Sequence, residues 1–482
     1  MHFGECRRRV AHGGNGLDSP CAACRRVPRL AVRATVNADA GTPGPQSLAG
    51  AWREGGRYAW YVCVVMMLLL AISYMDRSVL ALLVAPIEAA FSVRDTTMGL
   101  LQGAAFAVVY VAFAFPLARL ADRGNRRNLI VYGVMFWCGA TICCGLARSV
   151  PQLFLARMSV AAGEAVLMPA AVSILADYFG PKSRARALSV YSIGLYLGSG
   201  MAMGGGGALM KVFGPAGAMV PAIGVLASWR LVFILMGLVG LFVVPLLLGV
   251  HEPQRLGDDG RSAEATLPFA EMLRELKVKR AAVFGTIMGF ALIALGATTV
   301  NAWGATLFLR AHGWSIANAG LRLGAVTLVL GPLGAITGGV AADWLAKRGR
   351  VDAKPFVGLL SASGCVVAAL VFTLHSSTLA LIGIGVLNYL IGFNFGIVQA
   401  SLADLLPNRM RAVISALYIA TTNILAATLG PLLVGLLNDH VFKDPSQIAM
   451  SLRIVVPSAF LLAALTLWHV LPEYRQALAA RR

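Results

Sequence analysis

Charge is scarce in this sequence. Asp, Glu, Lys and Arg make up 13% of its 482 residues while 58% are hydrophobic. A soluble domain carries about a quarter charged residues, so most of this surface faces something other than water. Nucleotide and hydrolase signatures are missing too. The lack of a Gly-x4-Gly-Lys-Ser/Thr phosphate loop argues against an ATP-driven machine. No Gly-x-Ser-x-Gly nucleophile elbow and no His-Glu-x-x-His metal helix occurs, so no enzyme activity is expected. Of the eight cysteines, Cys63, Cys138, Cys143, Cys144 and Cys365 sit in apolar stretches and pack as small hydrophobes. Cys21 and Cys24 form a Cys-x-x-Cys beside Cys6, but no second ligand pair follows. Neither a metal nor a cofactor is expected. Acidic residues are rarer than basic ones, giving a net charge of +19. The basic residues lie in alternate loops rather than on one face, which argues against nucleic acid as a partner. No short apolar segment with a cleavage site precedes the first long apolar run, so no signal peptide is expected.

What the chain does have is apolar blocks of about twenty residues, the length that crosses a bilayer as a helix. Twelve are read near 59–84, 97–117, 129–147, 152–176, 186–211, 229–250, 281–304, 316–340, 356–375, 378–402, 412–437 and 453–471. The expected class is an all-α integral membrane protein. Its expected parts are a disordered tail over 1–57, rich in Gly, Pro, Ala and Arg, and a six-helix bundle over 58–250. A polar central loop over 251–279, with a short amphipathic helix at Phe269–Leu276, leads to a second bundle over 280–472 and a tail over 473–482. About three quarters of the 41 basic residues fall in the tails, the central loop and every second short loop, which places both termini in the cytoplasm.

A repeat divides the spans. Ala118-Arg119-Leu120-Ala121-Asp122-Arg123 follows the second span and Gly339-Val340-Ala341-Ala342-Asp343-Trp344 the eighth. Leu175-Ala176-Asp177-Tyr178, followed by Arg184, closes the fourth span; Leu402-Ala403-Asp404-Leu405, followed by Arg411, closes the tenth. The acidic residues are offset by 221 and 227 positions, so each copy holds the same place in its half. Two parallel six-helix repeats around a central cavity form a transporter architecture.

Four ionisable residues, Asp76, Arg77, Arg157 and Glu164, fall inside apolar spans. Such groups are costly in a bilayer unless paired or facing water, so they are read as functional. Arg157 and Glu164 are seven apart and share one helix face. Together the four make a balanced network in which protonating a carboxylate frees an arginine. Glu164 is the favoured proton carrier and Asp76 its partner. The competing reading is a static salt-bridge cluster joining the first and fourth helices, although buried ion pairs add little net stability. The second half offers neutral groups instead: Asn301, Asn388, Asn394, Gln399 and Asn423, with Trp303 and Tyr389 as aromatic walls. For each Asn taken singly helix-to-helix hydrogen bonding is the favoured reading, and each aromatic equally suits core packing.

The stretch Leu120-Ala121-Asp122-Arg123-Gly124-Asn125-Arg126-Arg127 resembles the signature loop between helices two and three of the major facilitator superfamily. Ala118 and Asn125 stand where that signature has glycine, and the Asn-Arg-Arg ending is similar to the Spinster branch. Tyr74-Met75-Asp76-Arg77, Gly163-Glu164-Ala165 with Pro169, Ser228-Trp229-Arg230 and His251-Glu252-Pro253 point the same way. The resemblance runs from about Tyr58 to Pro472. It implies alternating access by rocking of the two bundles. It also implies an inner-face latch of Asp122, Arg123, Arg126, Asp177 and Arg184, with Asp343, Asp404 and Arg411 as its counterpart. The Gly-Pro pair of drug/proton antiporters is missing from helix five, where Ala202-Met203 stand. The resemblance thus implies a proton-coupled carrier of an amphipathic or lipid-like organic anion, monomeric, in a bacterial inner membrane. A small organic anion or sugar-acid carrier is the alternative within transport, and a non-transporting sensor or scramblase the alternative outside it.

Overall fold

Backbone groups in a bilayer find no water, so they must bond to each other, and a helix does this within one segment. The computed structural model describes residues 56–214, 217–221, 224–253, 276–373, 376–406 and 410–480. Twelve long helices cross among these residues. The first six are α1 (Arg57–Leu82), α2 (Asp95–Arg123), α3 (Arg126–Leu146), α4 (Val150–Tyr178), α5 (Pro181–Phe213) and α6 (Ser228–Leu248). The second six are α7 (Arg280–His312), α8 (Ile316–Lys347), α9 (Ala353–Phe372), α10 (Ser377–Leu405), α11 (Val413–Phe442) and α12 (Pro445–Ala479). Eleven are long and apolar enough to span by composition. The twelfth, α5, is 33 residues long, and Gly198, Gly200 and Gly204–Gly207 dilute its apolar content. A short helix, Val84–Phe91, joins α1 to α2. A two-stranded antiparallel ribbon, β1 (Ala218–Val220) with β2 (Gly224–Leu226), lies between α5 and α6, with Ala218 opposite Leu226.

Several helix ends differ from the sequence reading, and three of them matter here. The helix α5 starts at Pro181 rather than 186, because proline suits a first helical turn. The helix α7 runs on to His312, past the expected 304, and Gly313 ends it at φ 65°. The helix α12 continues to Ala479, so most of the segment expected as a tail from 473 is helical. The expected disorder over 1–57 lies outside the described residues but for its last two positions. Most of the central loop, and the short helix at Phe269–Leu276 apart from Leu276, lie outside them as well.

Glycine lets these helices come close. A methyl at Gly198 of α5 would sit 2.0 Å from the Ala71 carbonyl oxygen of α1, and one at Gly194 would sit 2.4 Å from that of Met67. Without a hydrophobic drive between helices in lipid, such backbone contact is a main source of association. Outward-facing Phe115, Tyr132, Phe242 and Trp468 are exposed, as lipid-facing residues should be. Helical regularity fails at Gly103 in α2, at Ala165–Val166 in α4, at Gly396 (φ 80°) in α10, and at the π-helical turns Thr422–Leu429 and Leu437–Phe442 of α11. Single π-helical turns concentrate at functional positions.

Antiparallel crossing puts Arg57, Arg123, Arg126, Arg127 and Ala479 on one face, called here the basic face. The halves meet on the opposite face. There Gly200 and Gly204 of α5 abut Gly324 of α8, and Gly207 abuts Ala317 and Gly320. Likewise Gly99 and Gly103 of α2 abut Pro431 and Ala427 of α11.

Candidate functional site

Between the halves lies a cavity of about 450 Å³, lined by α1, α2, α4 and α5 from the first half and α7, α8 and α11 from the second. Arg77, Glu164 and Arg157 reach its wall on one side, Asn301 and Asn423 on the other.

Glu164 is 1% exposed. Its Oε2 accepts hydrogen bonds from Ser73 Oγ and from Arg77 Nε, both at 2.7 Å, while its Oε1 is buried without a donor. The Arg77 guanidinium lies 5.0, 4.4 and 4.9 Å from the ring centres of Tyr74, Phe106 and Tyr110, within cation–π range of all three. Asp76, fully buried, faces the other way: its Oδ2 accepts from Thr141 Oγ1 at 3.2 Å, and its Oδ1 has no donor. Arg157 Nη1 donates to the Asp76 main-chain carbonyl at 2.9 Å rather than to its carboxylate, and Arg157 Nε is unpartnered. The four charges therefore gather as one cluster joining α1 to α4, with a single direct ion pair, Arg77–Glu164. Three of their buried polar atoms, Asp76 Oδ1, Arg157 Nε and Glu164 Oε1, meet no partner among the described residues.

The second-half candidates divide. Asn301 and Asn423 line the cavity. Trp303 is buried and donates from Nε1 to the Pro431 carbonyl, and Asn388 bonds back to the Ile384 carbonyl of its own helix. Asn394 donates to Ser361 Oγ, Gln399 accepts from Ser415, and Tyr389 stacks edge-on against Phe393. These five are not among the lining residues: Trp303, Asn394 and Gln399 make helix-to-helix bonds, while the contacts named for Asn388 and Tyr389 stay within α10.

With the halves closed on the opposite face, the residues expected to form the basic-face latch are placed as follows. Asp122, Arg123, Arg184 and Asp343 are exposed, and Arg184 bonds the Ala176 carbonyl of its own half. Arg126 is buried, donating to Asp177 at 2.5 Å, Glu252 at 2.7 Å and Ser173 at 2.7 Å. Asp177 and Ser173 belong to the first half and Glu252 to the start of the central loop just past α6, so none of these bonds joins the two bundles. Asp404 pairs with Lys354 at 2.5 Å, again within one half. Lys354–Asp404 thus repeats Arg126–Asp177 at the same helix ends. The Arg411 side chain lies outside the described residues.

Sequence reasoning missed a cluster on the opposite face. Arg310 of α7 holds Asp95 of α2 with two bonds of 2.8 Å and Glu88 with one of 2.5 Å. Asn438 of α11 donates to Asp95 at 2.7 Å, and Asp439 accepts from the Thr96 backbone N–H at 2.7 Å. Among pairs in which both residues are described, the hydrogen bonds and ion pairs between halves all lie here. Arg310 escaped notice because it falls beyond the apolar run, in the last turn of an α7 longer than expected.

The sequence pattern of the Major Facilitator Superfamily matches residues 66–431, and the chain belongs to that superfamily of membrane transporters. Within it the chain is Spinster-like. It is 27% identical to an MFS-type efflux pump of Mycolicibacterium smegmatis over 88% of this chain and 95% of that protein. It is also 27% identical to Protein spinster homolog 3 of Danio rerio, over 88% and 87% of the two chains. A solved bacterial homolog of the human lysosomal transporter Spinster, inward-facing and unoccupied, superposes with a TM-score of 0.72 at 27% identity, covering 88% of this chain and 98% of that one. The inward-open xylose transporter of E. coli shares the fold alone, with a TM-score of 0.64 at 15% identity.

Proposed function

We propose that this chain is a proton-coupled secondary transporter of an amphipathic or lipid-like organic anion. It would sit as a monomer in a bacterial inner membrane with the basic face toward the cytoplasm. The observation that carries this reading is Arg77, whose guanidinium borders the cavity while its Nε is bonded to Glu164. A proton arriving on the Glu164 carboxylate removes the charge that holds Arg77. The guanidinium can then bind an anionic headgroup in the cavity, with Tyr74, Phe106 and Tyr110 flanking it. Loss of the proton restores the Arg77–Glu164 pair and expels the anion. Asp76, next to Arg77 in sequence and bonded through its carbonyl to Arg157, couples the pair to the rest of the cluster. Apolar residues of the wall, among them Leu70, Leu167, Met168, Leu195 and Met203, suit an alkyl chain. Similarity to an efflux pump and to Spinster proteins supports the transport class.

The test is uptake of a labelled lysophospholipid into proteoliposomes under an imposed pH gradient, comparing the native chain with Glu164→Gln. Gradient-driven flux in the native chain that falls to background in Glu164→Gln is the expected result. Flux that survives the substitution would remove Glu164 as the carrier. Flux without any dependence on the gradient would favour a scramblase, and absence of flux would turn the search to small organic anions.

A further inference from the structure

The cluster on the opposite face has one charge too many. Glu88 and Asp95 both face the single cation Arg310, so with both acids ionised the group carries a net negative charge while mostly buried. Asp95 has its oxygens filled by two N–H groups of Arg310 and by Asn438 Nδ2, and Asn438 in turn accepts from Ser451. Glu88 is less well served. Its Oε2 accepts from Arg310 Nη2, the same nitrogen that bonds Asp95 Oδ1, which brings the two carboxylates side by side, and its Oε1 is buried and meets no donor. Two carboxylates in contact cannot both stay ionised at low cost, and one shared proton converts the repulsion into a hydrogen bond.

We infer that the Glu88–Asp95 pair is a second proton-binding site, which holds one proton while the halves are closed on this face and releases it when they part. The inference rests on the alternating-access part of the proposed function and is independent of the cavity's substrate and of Glu164. Glu88 and Asp95 belong to the first half and Arg310, Asn438 and Ser451 to the second, so opening this face exposes both acids to water. The charged groups acting on Glu88 are Asp95 from α2 and Arg310 from α7; α11 and α12 supply neutral Asn438 and Ser451 behind Asp95, and Asp439 of α11 is committed to the Thr96 N–H. In the closed arrangement burial, the largest cause, and the Asp95 carboxyl push Glu88 up to about 8 against the pull of Arg310. In the open arrangement a solvated Glu88 returns to the ordinary glutamate value of about 4.3.

The sign follows by linkage. Below the ordinary glutamate value both states hold the proton and the closed:open ratio is level. Between that value and about 8 only the closed state holds it, so the ratio falls about tenfold per pH unit as pH rises, and above 8 it levels again. The closed face is therefore an acid-stabilised state.

The experiment places spin labels on keto-bearing residues at Gln152 of α4 and Thr378 of α10, leaving the native cysteines in place. Pulsed-EPR distances are then recorded for the full chain in nanodiscs between pH 5 and 9, without substrate. The native chain is expected to shift toward the longer distance as pH rises, Glu88→Gln to lose that dependence, and Glu88→Asp and Glu164→Gln to keep it. An unchanged pH dependence in Glu88→Gln overturns the inference. So does a dependence lost only in Glu164→Gln, which would leave the cavity reading standing. Infrared difference spectra give a readout that does not depend on labels. A protonated carboxyl band in the native chain near pH 6.5, missing in Glu88→Gln, supports the shared proton, and its absence from the native chain refutes it.

Discussion

The Arg77 side chain meets three rings at 4.4 to 5.0 Å while its Nε bonds Glu164. A lysine would keep the charge but lose the flat guanidinium that lies against rings and binds carboxylate and phosphate in a fork. The expected result for Arg77→Lys is a KM for the anionic substrate raised about tenfold, the size of one to two lost cation–π and forked contacts, with the protein still folded. Initial rates against substrate concentration, beside a thermal unfolding curve, check this. An unchanged KM would mean that Arg77 is a structural partner of Glu164 only. Residues of this kind were legible in the sequence because a charge inside an apolar run costs too much to lack a purpose. Tyr74, Phe106 and Tyr110 were not legible: an aromatic ring reads the same whether it packs in a core, faces lipid or borders a cavity. The asparagines failed for a related reason. Asn394 and Asn423 look alike in an apolar context, yet one bonds Ser361 between α10 and α9 and the other lines the cavity.

At the scale of one helix, α5 carries two sets of glycines with different surroundings. A methyl at Gly198 would meet the Ala71 backbone at 2.0 Å, and a main chain cannot swing aside as a side chain can. Gly205 has nothing within 4 Å. Gly198→Ala is therefore expected to push α5 off α1 and lower the unfolding temperature and the yield of folded protein. Gly205→Ala is expected to be neutral or slightly stabilising, since alanine is the better helix former by about 1 kcal/mol. Thermal unfolding of both variants in the same detergent checks the pair, and equal behaviour would mean that α5 has room to slide. Hydropathy revealed the number of helices because a lipid-facing span has one required length. It located their ends poorly. Pro181 added a turn before the apolar part of α5, and Arg310 lies in a final turn of α7 that hydropathy assigns to a loop.

For the whole molecule, the internal repeat exposes two matching halves but not which way they are tilted, since both tilts bury the same spans in the same lipid. The tilt is set by contacts between the halves, and those on the face away from the basic face are backbone-close. A methyl at Gly103 of α2 would sit 2.4 Å from the Ala427 carbonyl oxygen of α11, which belongs to the other half. This separates Gly103 from Gly198, whose close neighbour lies in its own half. Gly103 has a negative φ of −103°, so the effect of alanine there is argued from the clash with α11 and not from a left-handed backbone. Gly103→Ala should leave each bundle folded while preventing the two from closing on this face. The expected outcome is an unfolding temperature within a few degrees of the native value and a lengthened Gln152–Thr378 distance at every pH. Transport should fall by about tenfold, since a carrier that cannot close one gate cannot alternate. A distance that stays short while the unfolding temperature drops would make the α2–α11 contact part of the fold's stability, and the gate would then rest on α5, α8 and Arg310 alone.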